Sequence, residues 1–286
     1  MKHIQWFPGH MTKAMRMMEE SVKLCDGVLV VLDARAPAAT FNKNLKKLFG
    51  AKPVLYILNK SDLADEKRVA PFCSLIERCG ANAIALCSNE ANAAKRVASK
   101  VSAMLSEKHG KDEEKGLSRP DRLMVAGIPN TGKSTIINAL SGEKRAVTGD
   151  KAGVTRGKQW IRCAGFELLD TPGTMPPAFE SQYLARHLAY IGCINDDILD
   201  FDDIALELLS ELSQICPDKL TERYAIEDFS APLSMLEQIC RRRGFILRGN
   251  EFDYDRGAKA LVDDFRKGRI GKITLERAEE YANIEF

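Results

Sequence analysis

A glycine-bounded segment between an apolar run and a helical run carries the clearest chemistry in this chain. It reads Gly127-Ile-Pro-Asn-Thr-Gly-Lys-Ser-Thr135 and follows the apolar run Leu123–Ala126. Strand, glycine-rich loop and helix in this order are the context that a phosphate-binding P-loop requires. The alternative is a glycine turn that happens to precede a helix. The full pattern in its proper context favours a nucleoside triphosphate site.

The residue types of this loop suit phosphate binding. Gly127 and Gly132 let the backbone curl so that successive N–H groups point at phosphate oxygens, and the helix N-terminus adds partial positive charge. Lys133 reaches the β and γ phosphates, and the Ser134 hydroxyl is placed to ligate Mg²⁺. The residues expected to bind nucleotide here are Asn130, Thr131, Gly132, Lys133, Ser134 and Thr135.

A second motif, Asn59-Lys-Ser-Asp62, follows the apolar run Pro53–Leu58 and would read the base. The Asp62 carboxylate can accept from both the N1–H and the exocyclic amino group of guanine, whereas adenine has no donor at either position. Asn59 would tie this segment to the P-loop, and the stem of Lys60 would cover the ring. Alone, the tetrapeptide is equally compatible with an ordinary helix cap. Together with a P-loop, it predicts guanine specificity.

Four further residues complete the expected site. Ser88, after the apolar segment Asn82–Cys87, would supply a backbone contact to the base O6. Asp170 opens the motif that ends at Gly173; its carboxylate would hold Mg²⁺ through water, and the Gly173 amide would bond the γ-phosphate. Thr155 lies between the P-loop and that motif. This position favours a switch threonine that binds Mg²⁺ and the γ-phosphate over plain polar surface.

The residue that would position the attacking water is not the usual one. Many GTPases place a glutamine just after the Asp-x-x-Gly motif, and Thr174-Met175 stand there instead. His10 is an internal candidate because imidazole can orient water near neutral pH; packing or capping of the first helix is the equal alternative. Asn130 would help hold K⁺ beside the phosphates, as in GTPases with a similar loop, or would bond its own backbone.

The elements that would position these residues read as an α/β domain followed by helices. Apolar runs that end at motif residues are Val28–Leu32, Pro53–Leu58, Leu123–Ala126 and Phe166–Leu169, the last in a hairpin with Lys158–Cys163. Parallel strands present ligand-binding groups at their carboxyl ends, so the motifs should converge there. From Pro176 onward the periodicity is helical, over about 179–191, 202–216, 232–242, 257–267 and 274–283.

The motifs occur in a permuted order. In Ras-like GTPases the phosphate motifs come first and the base motif last, whereas here Asn59–Asp62 comes first. The same sheet can be built if the usual termini are joined, through the charged surface linker 109–120, and the chain is cut elsewhere. We therefore predict a circularly permuted Ras-like P-loop GTPase domain over residues 1–175, with a mostly parallel sheet and helices on both faces. Residues 176–286 should form an all-α domain.

With this order, the chain resembles the circularly permuted GTPases of the YlqF type over essentially its whole length. The resemblance rests on the motifs above and on Trp6-Phe-Pro-Gly-His-Met11, Asp33-Ala-Arg35-x-Pro37 and Gly153-Val-Thr155, of which the first is distinctive of the family. It implies a GTPase that acts late in assembly of the large ribosomal subunit. The implied partner is the precursor of that subunit, with its ribosomal RNA bound in part by the C-terminal helical domain.

Charge is unevenly distributed in a chain whose net charge is only +2. Residues 190–230 hold eleven acids against two bases, which argues against RNA contact by that face. Two basic clusters further on suit phosphate contacts: Arg241-Arg-Arg243 with Arg248, and Arg266-Lys267 with Arg269 and Lys272. Because residues 231–286 carry eleven bases against ten acids, a solvated helix face would be the preferred interpretation without the resemblance.

The bulk composition predicts a cytoplasmic monomer without a membrane partner. The eight cysteines form no Cys-x-x-Cys pair and lie in apolar segments, as reduced and mostly buried thiols do. No apolar run approaches membrane-spanning length, and the N-terminus lacks the apolar core of a signal peptide.

Two functions compete: a GTP-hydrolysing ribosome assembly factor, and a GTP-dependent adaptor for protein binding or RNA modification. Asp62 disfavours an ATPase.

Overall fold

The chain folds as two units, which the computed structural model describes at residues 4, 9–142, 159–163, 165–179 and 181–286, without the side chains of His10 and Gln159. The first, called the sheet unit here, comprises Trp6–Ala178 and Glu276–Phe286. The second, the helical unit, comprises Met1–Gln5 and Phe179–Leu275. The expected switch residue Thr155 lies outside the described residues.

The sheet unit contains six strands and seven α-helices among the described residues. The strands are β1 (Gly27–Asp33), β2 (Val54–Asn59), β3 (Asn82–Ala85), β4 (Asp121–Ala126), β5 (Gln159–Arg162) and β6 (Phe166–Asp170). The helices are α1 (His10–Val22), α2 (Pro37–Thr40), α3 (Lys43–Phe49), α4 (Glu66–Arg78), α5 (Ala93–Met104), α6 (Ser106–Glu114) and α7 (Lys133–Ser141).

The strands form one sheet in the order β3-β2-β1-β4-β6-β5. All neighbours are parallel except β5, which pairs antiparallel with β6 as the edge of the predicted hairpin. From β1 the chain builds outward through β2 and β3, and from β4 it builds in the other direction. The order in which strands are added therefore reverses between β1 and β4. Open α/β sheets bind ligands at such a point, beside the carboxyl ends of the strands. In register, Asp33 lies beside Asn59, and Val125 lies beside Asp170.

The core explains why these runs are strands. Every residue of β1 is buried, which is expected for a parallel strand covered on both faces. Alternate residues such as Leu29 and Val31 pack with Val97 of α5 and Ile137 of α7. The helical spacing of methionines in α1 also marks packing, because Met11 and Met18 are fully buried.

The helical unit contains α8 (Gln182–Tyr190), α9 (Phe201–Ile215), α10 (Pro217–Tyr224), α11 (Pro232–Arg243) and α12 (Tyr254–Arg266). Helix α9 packs against α11 and α12, and the buried residues include Leu208, Leu212, Ile239 and Leu261. No helix among the described residues of either unit is long and apolar enough to cross a bilayer.

A buried carboxylate joins the ends of three of these helices. Asp264 of α12 accepts hydrogen bonds from Arg223 and Tyr224 of α10, each at 2.9 Å, and from Arg243 of α11 at 2.5 Å. Burial alone would raise the pKa of Asp264, but hydrogen bonds from Arg223, Arg269 and Tyr224 hold it below its usual value.

Three local expectations require correction. Half of the expected linker 109–120 is helical, because α6 extends to Glu114 and its Lys108 pairs with Asp112 at 3.0 Å and Asp121 at 2.6 Å. Helix α10 was not expected; it begins at Pro217, a residue that suits the first helical position. The expected helix over 274–283 is wrong: only a short 3₁₀ turn, Ala278–Tyr281, forms there.

The C-terminal segment Glu276–Phe286 belongs to the sheet unit rather than to the helical one. Glu276 is fully buried, and its carboxylate accepts from the backbone N–H groups of Ala38 at 2.6 Å and Ala39 at 3.0 Å. The Phe286 ring lies 4.7 Å from that of Phe41. The division of the chain therefore differs from the expected 1–175 and 176–286, because these tertiary contacts override local helical periodicity.

Candidate nucleotide-binding site

The loop between β4 and α7 follows a path that two of its positions permit only for glycine. Gly127 has φ 144°, and a Cβ atom there would lie 2.6 Å from the carbonyl oxygen of Val31. Gly132 has φ 97°, and its Cβ would lie 2.2 Å from Nδ2 of Asn59. Both the positive φ and the close approach exclude a side chain. The loop is thus held tightly against the ends of β1 and β2.

Lys133 and Gly173 meet on the inner side of this loop. Lys133 begins α7, is buried, and donates from Nζ to the carbonyl oxygen of Ile128 at 2.6 Å. A Cβ at Gly173 would lie 2.9 Å from that Nζ and 2.7 Å from the backbone nitrogen of Pro129. The segment after β6 therefore approaches the P-loop as closely as a bare backbone allows. Such a cradle fits phosphate, which needs converging N–H groups and a cation.

Asp170 and its neighbours hold the segment after β6 beside the P-loop. Asp170 is buried at the end of β6. The Thr171 hydroxyl donates to the carbonyl oxygen of Val125 at 2.6 Å, and the Thr174 N–H donates to that of Gly127 at 3.3 Å. A carboxylate here and the Ser134 hydroxyl in the first turn of α7 are oxygen donors of the kind that Mg²⁺ takes.

Asn59 joins three loops through one side chain. Its Nδ2 donates to the carbonyl oxygen of Thr131 at 2.8 Å. Its Oδ1 accepts from the backbone N–H of Ser88 at 3.1 Å and from the Ser88 hydroxyl at 2.5 Å. A side-chain amide has donors on its nitrogen and an acceptor on its oxygen, so Asn59 can serve both partners at once. The P-loop, the segment after β2 and the loop after β3 are therefore linked directly.

Lys60 makes a second link between the segment after β2 and the P-loop. Its backbone is left-handed, with φ 60°, and its Nζ donates to the carbonyl oxygen of Asn130 at 2.7 Å. The same Nζ lies 2.9 Å from Oδ2 of Asp33. Asn130 is itself left-handed, with φ 60°, a conformation that asparagine tolerates better than most residues.

Asp62 lies in the short 3₁₀ turn Ser61–Leu63 and is exposed. Burial, and then the nearby Asp62 carboxylate, raise the pKa of the Cys87 thiol. Asp62 follows Asn59 by three residues, and Lys133 follows Thr131 by two. The Asn59–Thr131 bond thus places Asp62 and Lys133, the residues expected to read the base and to bind phosphate, near the same carboxyl ends of the strands.

The structure brings together most of the residues that the motifs singled out. They are Asn59, Lys60, Asp62, Ser88, Asn130, Thr131, Gly132, Lys133, Ser134, Thr135, Asp170 and Gly173. The described residues do not include Thr155 or the side chain of His10, although the backbone of His10 begins α1.

The sequence alone assigned no role to Asp33 and Arg35, which it showed only as part of a family motif. Asp33 ends β1 and is fully buried, and Arg35 binds it through both Nε, at 2.9 Å, and Nη2, at 2.7 Å. Burial would raise the pKa of Asp33, but Arg35 and Lys60 together hold it well below its usual range. The available sequence signal was a charged pair directly after a buried parallel strand. The carboxyl ends of such strands are where open α/β sheets bind ligands.

Comparisons with known proteins agree with this geometry. Residues 122–224 match the family model described as 50S ribosome-binding GTPase. The chain is 37% identical to ribosome biogenesis GTPase A of Bacillus cereus, over 97% of this chain and 95% of that one. It is 31% identical to mitochondrial ribosome-associated GTPase 1 of Ictalurus punctatus, over 95% and 92% of the two chains. The GNP-bound structure of YlqF from Thermotoga maritima covers 93% of this chain and 99% of its own, with TM-score 0.65 and 27% identity.

The fold and the site define a circularly permuted P-loop GTPase, an enzyme that hydrolyses GTP. More particularly, the chain belongs to the ribosome biogenesis GTPase A family. The predicted fold class, the resemblance to YlqF-type GTPases and the GTPase activity are thereby confirmed, and the adaptor alternative is not favoured.

Proposed function

We propose that this protein binds GTP with Mg²⁺ at the carboxyl edge of its sheet and acts as a nucleotide-switched assembly factor for the large ribosomal subunit. The observation that carries the proposal is the direct linkage of the base-reading segment to the P-loop by Asn59 and Lys60, in a chain of this family. The proposed partner is the precursor of the large subunit, which this protein would bind as a monomer in the cytoplasm.

Each group at this edge has a proposed task. Asp62 accepts from the guanine edge, and Ser88 offers its backbone to O6. Lys133 binds the β and γ phosphates, and the amide of Gly173 binds the γ-phosphate and reports its loss on hydrolysis. Ser134 and Asp170 hold Mg²⁺, which when bound neutralises charge that develops on the phosphates.

The proposed hydrolytic residues are His10, which would orient water, and Thr155, which would contact Mg²⁺ and the γ-phosphate. Replacing His10 by alanine should slow turnover at saturating GTP by about 100-fold while the Kd for GTP stays near normal. Unchanged turnover would remove His10 from the mechanism. K⁺ beside Asn130 is proposed to assist; equal rates in potassium and sodium buffers would exclude that.

The described charges support RNA contact by one of the two basic clusters more than by the other. Arg266 pairs with Asp196 at 2.8 Å, and Lys267 pairs with Asp263 at 2.8 Å. Arg269 likewise pairs with Asp264 at 3.1 Å. Among the residues that the structure describes, no carboxylate pairs with Arg241, Arg242 or Arg248, which are all exposed. We therefore propose these three arginines as the phosphate contacts.

The deciding experiment measures GTP hydrolysis by the purified protein alone, with purified large ribosomal subunits, with small subunits, and with total RNA. Stimulation by large subunits only supports an assembly factor of that subunit. Equal stimulation by all particles, or none, would contradict the proposed partner while leaving the GTPase activity intact.

A further inference from the structure

A buried carboxylate lies behind the two nucleotide loops without lying in any of the motifs that bind nucleotide. Asp33 has no exposed surface, and its two oxygens are shared by a guanidinium and an ammonium. Such a group is retained at high desolvation cost, so its charge must be matched by fixed partners. The identity of those partners indicates what the carboxylate does.

The two cations on Asp33 differ in what else they contact. Arg35 makes a two-point contact with Asp33 from the same loop, only two residues away. Lys60 comes from the next strand and continues to the P-loop, where its Nζ donates to the carbonyl oxygen of Asn130. An ammonium has three N–H donors, and two of them are used on fixed acceptors here. Lys60 therefore connects the Asp33 carboxylate directly to the P-loop.

We propose that Asp33 is a positioning residue for guanine nucleotide binding, which holds Lys60 against the P-loop carbonyl of Asn130 so that the base-reading segment and the P-loop are aligned before nucleotide arrives. The inference rests on the proposed function, that guanine nucleotide binds at this edge. It does not require Asp33 to touch the nucleotide.

The competing explanation is purely structural. Arg35 alone could neutralise Asp33 and close the loop after β1, with Lys60 a bystander. The two explanations differ in their dependence on Lys60: positioning requires that the effect of Asp33 on nucleotide affinity pass through that lysine. A structural role makes the two effects independent.

The test is a double-mutant cycle on Kd for a fluorescent GDP. Asp33→Asn keeps the shape and removes the charge, and Lys60→Met keeps most of the apolar stem and removes the ammonium. Each single variant is expected to raise Kd by about 30-fold, the range for loss of a charged hydrogen bond. The double variant should be no more than about threefold weaker than either single one. Kd values that multiply in the double variant, or an Asp33→Asn protein that binds like wild type, would overturn the proposal.

A matched control and a second readout separate positioning from general damage. Asp121 is also a buried aspartate, bound by Lys108 at 2.6 Å and His109 at 2.8 Å. It is the first residue of β4, at the amino-terminal end of that strand, whereas Asp33 lies at the carboxyl end of β1. Asp121→Asn should leave Kd for GDP within about twofold of wild type. In steady-state GTP hydrolysis, Asp33→Asn should raise KM more than it lowers kcat. Partial unfolding would instead lower the concentration of active enzyme, and with it the apparent kcat, and would leave KM unchanged.

Two further variants keep the proposal testable if Asp33→Asn does not fold. Asp33→Glu retains the charge but displaces it by one methylene, so it should weaken GDP binding in the wild-type background and have no effect beside Lys60→Met. Lys60→Arg should recover part of the affinity that Lys60→Met loses. Absence of GDP binding by wild type would instead refute the proposed function itself.

Discussion

At the scale of single residues, the proposed base specificity depends on Asp62, because one carboxylate can accept from both donors of the guanine edge. Replacing Asp62 by asparagine leaves an amide that cannot accept from both. We expect the preference for GTP over xanthosine triphosphate to fall by about 100-fold or more, since xanthine presents an oxygen where guanine has an amino group. Competition of both nucleotides against a fluorescent GDP measures this.

Ser61→Ala, one position away in the same 3₁₀ turn, is the control for disturbance of the turn and should keep the guanine preference. If Asp62→Asn retained full preference for GTP, another residue would read the base.

Residues whose roles depend on chain spacing were the predictable ones. Gly132, Lys133 and Ser134 must be consecutive to serve one loop, and the same holds for Asn59 and Asp62 in the other motif. The partnership of Asp33 with Lys60 joins the ends of two different strands, so it depends on the parallel register of β1 and β2 rather than on spacing.

At the scale of elements, the C-terminal segment stabilises α2. Replacing Glu276 by leucine would leave the N–H groups of Ala38 and Ala39 buried without an acceptor. Unsatisfied buried groups cost about 1 to 3 kcal/mol each, so we expect the free energy of unfolding of the sheet unit to fall by about 2 to 4 kcal/mol. Urea unfolding followed by tryptophan fluorescence reports this unit, to which Trp6 and Trp160 belong.

Glu276→Gln is the informative comparison, because its amide keeps one acceptor and should lose less stability than Glu276→Leu. Glu279→Leu, at an exposed position of the same segment, should have little effect. Equal stability of Glu276→Leu and wild type would mean that the segment does not hold α2 in solution.

The junction of α10, α11 and α12 at Asp264 predicts a pH dependence. The folded-state pKa of Asp264 lies below its ordinary value of 3.8, so its contribution to stability is present above about pH 4 and is lost as pH falls through the folded-state value. Asp264→Asn should destabilise the helical unit by about 2 kcal/mol at pH 7, a low value for a buried ion pair because the arginines are partly exposed and can be solvated.

Hydrogen exchange of the α11 and α12 amides at pH 7 and at a pH about two units below the ordinary value of 3.8 measures this contribution. The difference in protection between wild type and Asp264→Asn should shrink toward the lower pH. A difference that stayed constant would show that the Asp264 carboxylate keeps its ordinary pKa.

Helices and strands with strong periodicity were predicted within a few residues, as for β1 and α9. The failures have physical causes. Helix α6 lacks an apolar stripe and depends on charge pairs such as Lys108–Asp112. The segment after Leu275 has the spacing of a helix, but its groups contact other elements instead. The Glu276 carboxylate accepts from α2, the Glu285 carbonyl oxygen accepts from α3, and the Phe286 ring packs against a ring of β2.

At the scale of the whole molecule, association with large ribosomal subunits should weaken steeply with salt. Each phosphate contact contributes a slope of about 0.7 to 0.9 in log K against log salt. Arg242→Gln should therefore reduce the slope by nearly one, because Arg242 has no carboxylate partner among the described residues. Pelleting with purified subunits over a roughly sixfold range of salt, from about 50 to about 300 mM, suffices to measure it.

Lys267→Gln is the matched control, since Lys267 already pairs with Asp263 at 2.8 Å. Its slope should equal that of wild type. If Lys267→Gln reduced the slope as much as Arg242→Gln, the assignment of RNA contact to the first basic cluster would be wrong.

Because Glu276–Phe286 belongs to the sheet unit, that unit cannot finish folding until the end of the chain has been synthesised. Residues 179–275 are translated between the two parts of that unit, which takes on the order of 10 s at ordinary elongation rates. During that interval the N–H groups of Ala38 and Ala39 have no Glu276 to accept from. A nascent chain therefore completes its GTPase unit only after the whole helical unit has been made.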